Sequence, residues 1–382
     1  MRKIRMGMVG GGRDAFIGAV HRMAANLDGQ IELVCGAFSS DAEKSRLSGQ
    51  DFFLAAERVY PNFEEMIKRE AALPADIRMD FMAIVTPNHV HYAPAKMALE
   101  YGFHVVCDKP LALNVEEALD LQVVAEKTNL IFALTHTYAG YPMIKQAKAM
   151  IAHGELGKIR KVVVEYPQGW LSTKLEDSNQ KQASWRNDPT RSGMGGCVGD
   201  IGTHAEHLAE YVSGLKIKAI CADVSSIVEG RILDDDCNIL LRFDNDARGI
   251  LSASQISAGE ENNLRIKVYG EKGGLEWSQM EPNTLIHRHL TDSMRILRTG
   301  VGALYPITQA HTRIPAGHPE GYIEAFANIY RNVAKCIQAR LENKIPEAHF
   351  LDFPTIEEGV RGMKFIECVV NSGKSNEKWL DF

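Results

Sequence analysis

The sequence predicts an α/β protein: a doubly wound parallel sheet, then an α+β domain with a large, mostly antiparallel open sheet. Three observations carry this. Over residues 1–136 short apolar strands alternate with helical stretches, at the spacing of parallel strands joined by right-handed crossovers. From residue 217 onward strands follow one another with little helix between them. The chain has 382 residues, which is long for one domain and natural for two. The boundary is placed between 136 and 137, with the closing helices of 137–382 free to pack back on the first domain.

The elements follow in order. Residues 4–9 are an apolar strand leading to Gly10-Gly11-Gly12, and Gly18 opens a helix over 19–27. A second strand spans 31–38, and Ser40-Asp41 suits the N-terminus of the helix after it. Val59-Tyr60 is a minimal third strand, with helix over 63–69. Residues 81–85 form an all-apolar strand ending in Thr86-Pro87-Asn88, and 94–101 are helical. Strand 104–107 follows Gly102; Val105-Val106 favour the extended state, and Pro110 ends it and turns Lys109 from the helical region. Helix 115–127 and strand 131–135 complete the domain. Helix 142–151, a long polar loop over 171–196 and helix 200–212 come next. Strands at 217–228, 237–243, 249–256 and 264–269 are joined by turns such as Asn245-Asp246, and helices at 322–341 and 355–370 close the chain.

Composition narrows the function classes. Apolar residues make up 45% and charged residues 24%, ordinary for a soluble globular protein. A formal charge of −6 argues against nucleic acid and anionic membrane as partners. Met1-Arg2-Lys3 could begin a leader, but Gly7 and Gly10-Gly11-Gly12 break the apolar run, and no stretch is long enough to span a bilayer. Seven scattered cysteines without a C-x-x-C pair read as reduced thiols, which places the protein in a cytoplasm.

Three constellations carry chemistry. The turn with Gly10 and Gly12 joins a strand to a helix N-terminus, where backbone N–H groups can meet a pyrophosphate. Its spacing departs from G-x-G-x-x-G, so position in the βαβ unit carries the reading. At the end of the second strand an acid would bind the ribose hydroxyls of NAD; here Ser39 and Ser40 stand there, with Lys44 and Arg46 close behind. Small hydroxyls beside cations would tolerate a 2′-phosphate, so both NAD and NADP stay open. Asp41 reads first as a helix cap and second as a ribose ligand. In Gly195-Gly196-Cys197-Val198-Gly199-Asp200-Ile201-Gly202-Thr203-His204, Asp200 and His204 are four apart and share one helix face. His204 can accept a proton while Asp200 orients the imidazole. His207 reads as packing, and a metal on Asp200, His204 and His207 is set aside for want of a second carboxylate cluster. Lys109, at the C-terminal end of a strand, stands where open α/β sheets bind ligands.

The glycine-rich turn, Thr86-Pro87-Asn88-x-x-His91, Cys107-Asp108-Lys109-Pro110 and Asp200-x-x-x-His204 together resemble the Gfo/Idh/MocA oxidoreductases, the glucose–fructose oxidoreductase and inositol dehydrogenase relatives. The resemblance covers essentially the whole chain in order. It implies an N-terminal Rossmann domain, a C-terminal substrate-binding and oligomerisation domain, a nicotinamide cofactor (NAD or NADP) and a homodimer or homotetramer. By motif match, Lys109 is the lysine of the family's E-K-P signature, and Asp200 and His204 are its catalytic aspartate and histidine. Thr86, Pro87, Asn88 and His91 match the segment along the cofactor. Three departures stand out. The first loop is longer than usual, which makes Arg13, Phe16 and Ile17 candidate cofactor contacts. Asp108 replaces a glutamate and reaches one methylene less toward the ribose. His136-Thr137-Tyr138 stands where many relatives carry asparagine or arginine.

The expected activity is hydride transfer between nicotinamide and a secondary alcohol or ketone of a sugar, glycoside or cyclitol. His204 takes the hydroxyl proton, Asp200 orients it, and Lys109 stabilises the growing alkoxide. Two alternatives remain: a redox-assisted, NAD-dependent glycosidase on the same fold, and a non-catalytic cofactor- or sugar-binding module. Tyr138, Tyr141, Tyr166, Gln168, Trp170, Trp185, Arg186 and His318 are expected to face the substrate. Aromatic faces would pack on the C–H face of a sugar ring and the polar groups would meet its hydroxyls. No metal is expected.

Overall fold

The computed structural model describes residues 2–178 and 180–382. Met1, first residue of the leader-like opening, and Asn179, inside the 171–196 loop, lie outside the described residues. The chain divides into two compact units, Met1–Thr137 with Phe326–Val360, and Tyr138–Ala325 with Arg361–Phe382.

The first unit is built on β1 (Ile4–Gly10), α1 (Phe16–Leu27), β2 (Ile31–Ala37), α2 (Ala42–Asp51), α3 (Phe63–Ala72), β3 (Phe81–Val85), α4 (Tyr92–Glu100), β4 (His104–Cys107), α5 (Val115–Thr128) and β5 (Phe132–Leu134). Its sheet has the order β2-β1-β3-β4-β5, every pair parallel. Helical crossovers require both faces of such a sheet to be covered, which is why β3 reads Phe-Met-Ala-Ile-Val and is buried throughout. The strand expected at Val59-Tyr60 is reduced to one parallel bridge between Gly36 and Val59. Pro61 has no N–H to extend the ladder, and the neighbouring Arg58 and Tyr60 side chains both turn to Glu70. Helix α1 starts two residues before Gly18. The glycine marks a close approach instead, since a Cβ on Gly18 would lie 2.3 Å from the Gly11 Cα. Residues 326–360 hold most of α11 (Tyr322–Leu341) and the start of α12 (Ile356–Lys374). They cover the β5 edge through a bridge between Ala133 and Thr355 and a bond from Leu134 N to Pro354 O of 2.9 Å.

The second unit contains α6 (Pro142–Ala152), β6 (Ile159–Pro167), α7 (Lys181–Arg186), α8 (Pro189–Ser192), a π-helical turn (Val198–Gly202), α9 (Thr203–Ser213), β7 (Ile217–Ser225), β8 (Asp236–Phe243), β9 (Arg248–Ser254), β10 (Arg265–Gly270), β11 (Gly273–Ser278), β12 (Thr284–His289), β13 (Arg295–Arg298), α10 (Pro306–Ala310) and β14 (Trp379–Asp381). Nine strands form one sheet, β13-β12-β11-β10-β6-β9-β8-β7-β14, antiparallel except for β6 beside β9. The loop expected over 171–196 carries α7 and α8, each begun by a side-chain cap, Gln180 on Ala183 N and Asp188 on Thr190 N. Helices α6 and α9 lie on one face of the sheet. The other face is exposed and carries, in register across β7, β8, β9 and β6, the row Cys221, Leu240, Ile250 and Val163. Leu240 is 49% and Ile250 38% exposed.

Glu70 of α3 anchors the first unit. Fully buried, it pairs both oxygens with the Arg58 guanidinium at 2.7 Å and accepts from Tyr60 Oη at 2.8 Å and Met79 N at 2.9 Å. Removing one partner of a buried ion pair strands the other charge, at a cost of about 3–5 kcal/mol. Glu70→Ala is therefore expected to lower the urea midpoint of the first unit markedly, whereas Glu43→Ala, which breaks an exposed pair with Arg46, should stay close to wild type.

Candidate active site

The β2-β1-β3 order places the topological switch point between β1 and β3, where open α/β sheets hold ligands. The helices after these two strands differ from their neighbours. Helices α2, α3 and α5 are capped by Asp41, Asn62 and Asn114, and each has an acid in its first turn. Helices α1 and α4 have no side-chain cap bond and no acid in the first turn. Neither N-terminus carries a carboxylate of its own, so an anion such as a pyrophosphate would meet the positive end of the helix dipole with no like charge in the first turn. Gly10 and Gly11, at φ 81° and 72°, turn the chain between β1 and α1 through a conformation side chains resist. A Cβ on Gly12 would lie 2.6 Å from Ser48 Oγ, so the turn also packs on α2. Phe16 is 71% exposed and Ile17 half-buried; both stand at the start of α1. Ser39 is half-buried and Ser40 exposed at the end of β2. Asp41 is a cap, accepting from Lys44 N at 2.9 Å.

At the end of β4 the half-buried Lys109 is held by its neighbour. Asp108 Oδ1 accepts from Lys109 N at 2.9 Å and from Thr135 Oγ1 at 2.7 Å, while Oδ2 lies 3.9 Å from His21 Nε2. His21 Nδ1 in turn meets Tyr330 Oη at 2.7 Å, inside residues 326–360. Burial pushes the Asp108 carboxyl up, yet the His21 imidazole, the Lys109 charge and the Thr135 hydroxyl outweigh it and hold it well below the usual carboxylate range. Asp108 therefore braces the turn from inside, with Oδ1 accepting from both Lys109 N and Thr135 Oγ1. His91 is fully buried, its ring nitrogens face Pro110 O and Thr86 O, both at 2.8 Å, and burial lowers its pKa. Its ring lies between the Thr86-Pro87-Asn88 segment and the Lys109-Pro110 turn, donating to one of the two carbonyl oxygens when neutral. Thr86 and Pro87 are half-buried and Asn88 is buried.

In the second unit Asp200 sits in the π-helical turn that runs directly into α9 and His204. A π turn of this kind recurs at functional sites. Asp200 Oδ2 accepts from Gln255 Nε2 at 2.8 Å and faces Arg186 Nε at 3.2 Å. Asp234 caps this helical segment from the loop before β8, accepting from Gly196 N at 2.6 Å and Val198 N at 2.7 Å. Burial raises the Asp234 carboxyl, and those two N–H groups pull against the rise. A Cβ on Gly196 would lie 2.3 Å from Asp234 O, so the glycine is what admits the cap.

Tyr138 is packed edge-on to the His204 ring, centroids 4.9 Å apart, and Tyr166 lies at 6.3 Å. The Tyr138 and Tyr166 hydroxyls are hydrogen-bonded to each other, and burial pushes both phenols up, so they stay protonated. Asn262 completes the group, accepting from Tyr166 Oη at 2.8 Å and Gln168 Nε2 at 2.6 Å and donating to Tyr138 Oη at 3.1 Å. Trp170 Nε1 donates to Gln168 Oε1 at 3.1 Å. The Arg186 guanidinium, which faces Asp200, lies over the Trp185 ring at 4.2 Å. Tyr141 is core, packed on Trp277, and His207 stacks on Tyr211. His318 is on an exposed turn with its Nδ1 facing Pro315 O at 3.2 Å; the structure does not bring it to this cluster. Sequence reasoning missed His21, Tyr330, Asp234, Gln255 and Asn262, since no local motif marks a partner that arrives from a distant segment.

Residues 4–136 match the family model for the oxidoreductase family with NAD-binding Rossmann fold, and residues 144–276 match the GFO/IDH/MocA C-terminal domain. The chain is 35% identical to an inositol dehydrogenase homolog from Azotobacter vinelandii solved as a complex with NAD+. That match covers 100% of this chain and 98% of the other, with a TM-score of 0.94. An oxidoreductase from Sinorhizobium meliloti is 44% identical over the whole of both chains, with a TM-score of 0.90. The levoglucosan dehydrogenase of Pseudarthrobacter phenanthrenivorans is 26% identical over 88% of this chain and 90% of its own. With both domains matched in order and this likeness over full length, the chain belongs to the Gfo/Idh/MocA oxidoreductases and carries their NAD-binding Rossmann domain.

Proposed function

We propose that this oxidoreductase oxidises a secondary alcohol of a sugar, glycoside or cyclitol, or reduces the matching ketone. The observation that carries the reading is a fixed carboxylate four residues ahead of an imidazole, where the π-helical turn runs into α9. Asp200 is held by Gln255 and Arg186 at the head of the helix bearing His204, and Tyr138 walls one edge of that ring. Relatives named for levoglucosan and for inositol support a polyhydroxylated ring as substrate. Hydride acceptance at the nicotinamide is the chemistry the dinucleotide supplies when bound. His204 accepts the hydroxyl proton, and Asp200 orients the imidazole and stabilises the charge it gains. Lys109 donates to the oxygen as alkoxide character grows. Tyr138, Tyr166, Gln168, Trp185 and Arg186 shape the substrate side, and nothing favours His318 there. The test is net NADH or NADPH formation across a panel of neutral hexosides, inositols and sugar phosphates. A redox-assisted glycosidase would release sugar from a glycoside with no net reduced cofactor.

The apolar row Cys221, Leu240, Ile250 and Val163 on the uncovered sheet face supports assembly into a dimer or tetramer through that face. Light scattering at micromolar concentration should therefore give a multiple of the chain mass, and Leu240→Lys with Ile250→Lys should reduce it to the monomer. A monomeric wild-type protein would defeat this.

For the chemistry, His204→Ala should lower kcat by roughly two to four orders of magnitude, the usual worth of general acid–base catalysis, with cofactor binding retained. Lys109→Ala should act comparably, and His207→Ala should keep turnover near wild type. An active His204→Ala beside an inactive His207→Ala would reverse the assignment.

A further inference from the structure

We propose that this enzyme selects NAD over NADP through two ion pairs, Arg13–Asp51 and Lys44–Asp14, that occupy the cations a 2′-phosphate would need. The inference concerns the dinucleotide site of the Rossmann domain and does not depend on which alcohol is oxidised.

The adenosine ribose of a dinucleotide lies beyond the second strand of such a domain. There an acid reads the 2′-hydroxyl, or a nearby cation accommodates a 2′-phosphate. Here no acid stands at the end of β2 itself: Ser39 and Ser40 are there, and the following Asp41 turns one oxygen, Oδ1, to the cap of α2. The glycine-rich turn is tied to the same place, with Gly12 N bonded to Phe38 O at 3.2 Å and Arg13 N to Ser48 Oγ at 3.0 Å. Cations are present, so the absence of an acid would by itself suggest NADP. Each cation, however, is already engaged. The Arg13 fork closes on both oxygens of Asp51, at 2.6 and 2.8 Å, the planar geometry that a phosphate would otherwise use. Lys44 Nζ is 2.7 Å from Asp14 Oδ2. Arg46 is forked onto Glu43 at 2.8 and 2.6 Å. Arg22, the fourth, donates to Gly11 O at 2.6 Å and lies over the Phe52 ring at 3.8 Å.

Four cations stand against Asp14, Asp41, Glu43 and Asp51, so the region has no net positive charge to offer. A 2′-phosphate, at about −1.5 to −2, would have to break a pair and then sit beside the carboxylate it displaced. A 2′-hydroxyl asks for none of this. The pairs cross between the turn and α2, in opposite sense, so neither cation is released without the loss of a turn–helix contact.

The test is calorimetric titration of the purified protein with NAD+ and NADP+, a binding readout that needs no substrate or turnover. Wild type is expected to bind NAD+ at least tenfold more tightly. The double variant Asp14→Asn/Asp51→Asn, both at exposed positions, frees Arg13 and Lys44 while keeping side-chain size. It should narrow the NAD+/NADP+ affinity ratio at least fivefold, and Glu116→Gln on α5 should leave it unchanged. Equal or tighter binding of NADP+ by wild type would overturn the proposal. So would a ratio unmoved in the double variant.

Discussion

The first N–H groups of a helix have no partner inside it, and where this chain sends them organises the whole molecule. In the first unit α2, α3 and α5 answer the demand with their own Asp41, Asn62 and Asn114. Helices α1 and α4, which follow the two strands flanking the switch point, do not. The second unit answers it a third way, with a buried carboxylate from another segment, Asp234, set on Gly196 N and Val198 N. A local cap would have to occupy the turn that carries Asp200. A cap delivered from outside leaves that turn to take its π geometry and run directly into α9, which bears His204.

The same logic explains the glycines that matter. Gly18 lets α1 approach the Gly10-Gly11-Gly12 turn, and Gly196 lets the Asp234 segment approach the head of the π turn. In each case the missing side chain admits backbone where a helix begins. Lys109 is placed by the complementary device, a buried carboxylate. Asp108 gathers Lys109 N, Thr135 Oγ1 and the His21 imidazole, and Tyr330 fixes the far side of His21. Three separate stretches of chain thus meet at one side chain next to the lysine, and a fourth, through Tyr330, holds one of them.

Much of this was legible from the amino acids, and the rest was hidden for identifiable reasons. The parallel strands announce themselves because burial on both faces makes them short unbroken apolar runs, as in Phe81 to Val85. Strands β6, β11, β12, β13 and β14 went unread because they are short or break the period-2 pattern: β6, Ile-Arg-Lys-Val-Val-Val-Glu-Tyr-Pro, pairs two charges and then runs three valines. The third strand at Val59-Tyr60 shrinks to a bridge because Pro61 and Glu70 compete for its ends. Lys109, Asp200 and His204 were readable as types at given spacings. Their supports were not: Gln255 lies 55 residues from Asp200 and Tyr330 lies 309 from His21, and no spacing rule spans such gaps. His91 shows a second side of this: a motif position also carries internal contacts that spacing does not reveal, here with its ring nitrogens toward Pro110 O and Thr86 O.

The chemistry around His204 also bears on what the proposed reaction accepts. Within the second unit, Tyr138, Tyr166, Gln168, Trp170 and Asn262 form one hydrogen-bonded group of neutral side chains. The phenols remain protonated, because burial opposes the phenolate in both. Such a group offers donors and acceptors in balance, the complement of hydroxyls, which are both at once. The cation these contacts bring to Asp200 is Arg186, and its guanidinium already serves that carboxylate and the Trp185 face. Drawing it toward a phosphate would loosen Asp200, the group that orients the proposed base. A phosphorylated substrate would therefore bind at the expense of the machinery proposed to act on it, whereas a neutral polyol would engage the tyrosines and amides and leave Arg186 where it is. On this argument the neutral ring proposed as substrate would be favoured by the cost of recruiting Arg186 as much as by any contact the ring would make.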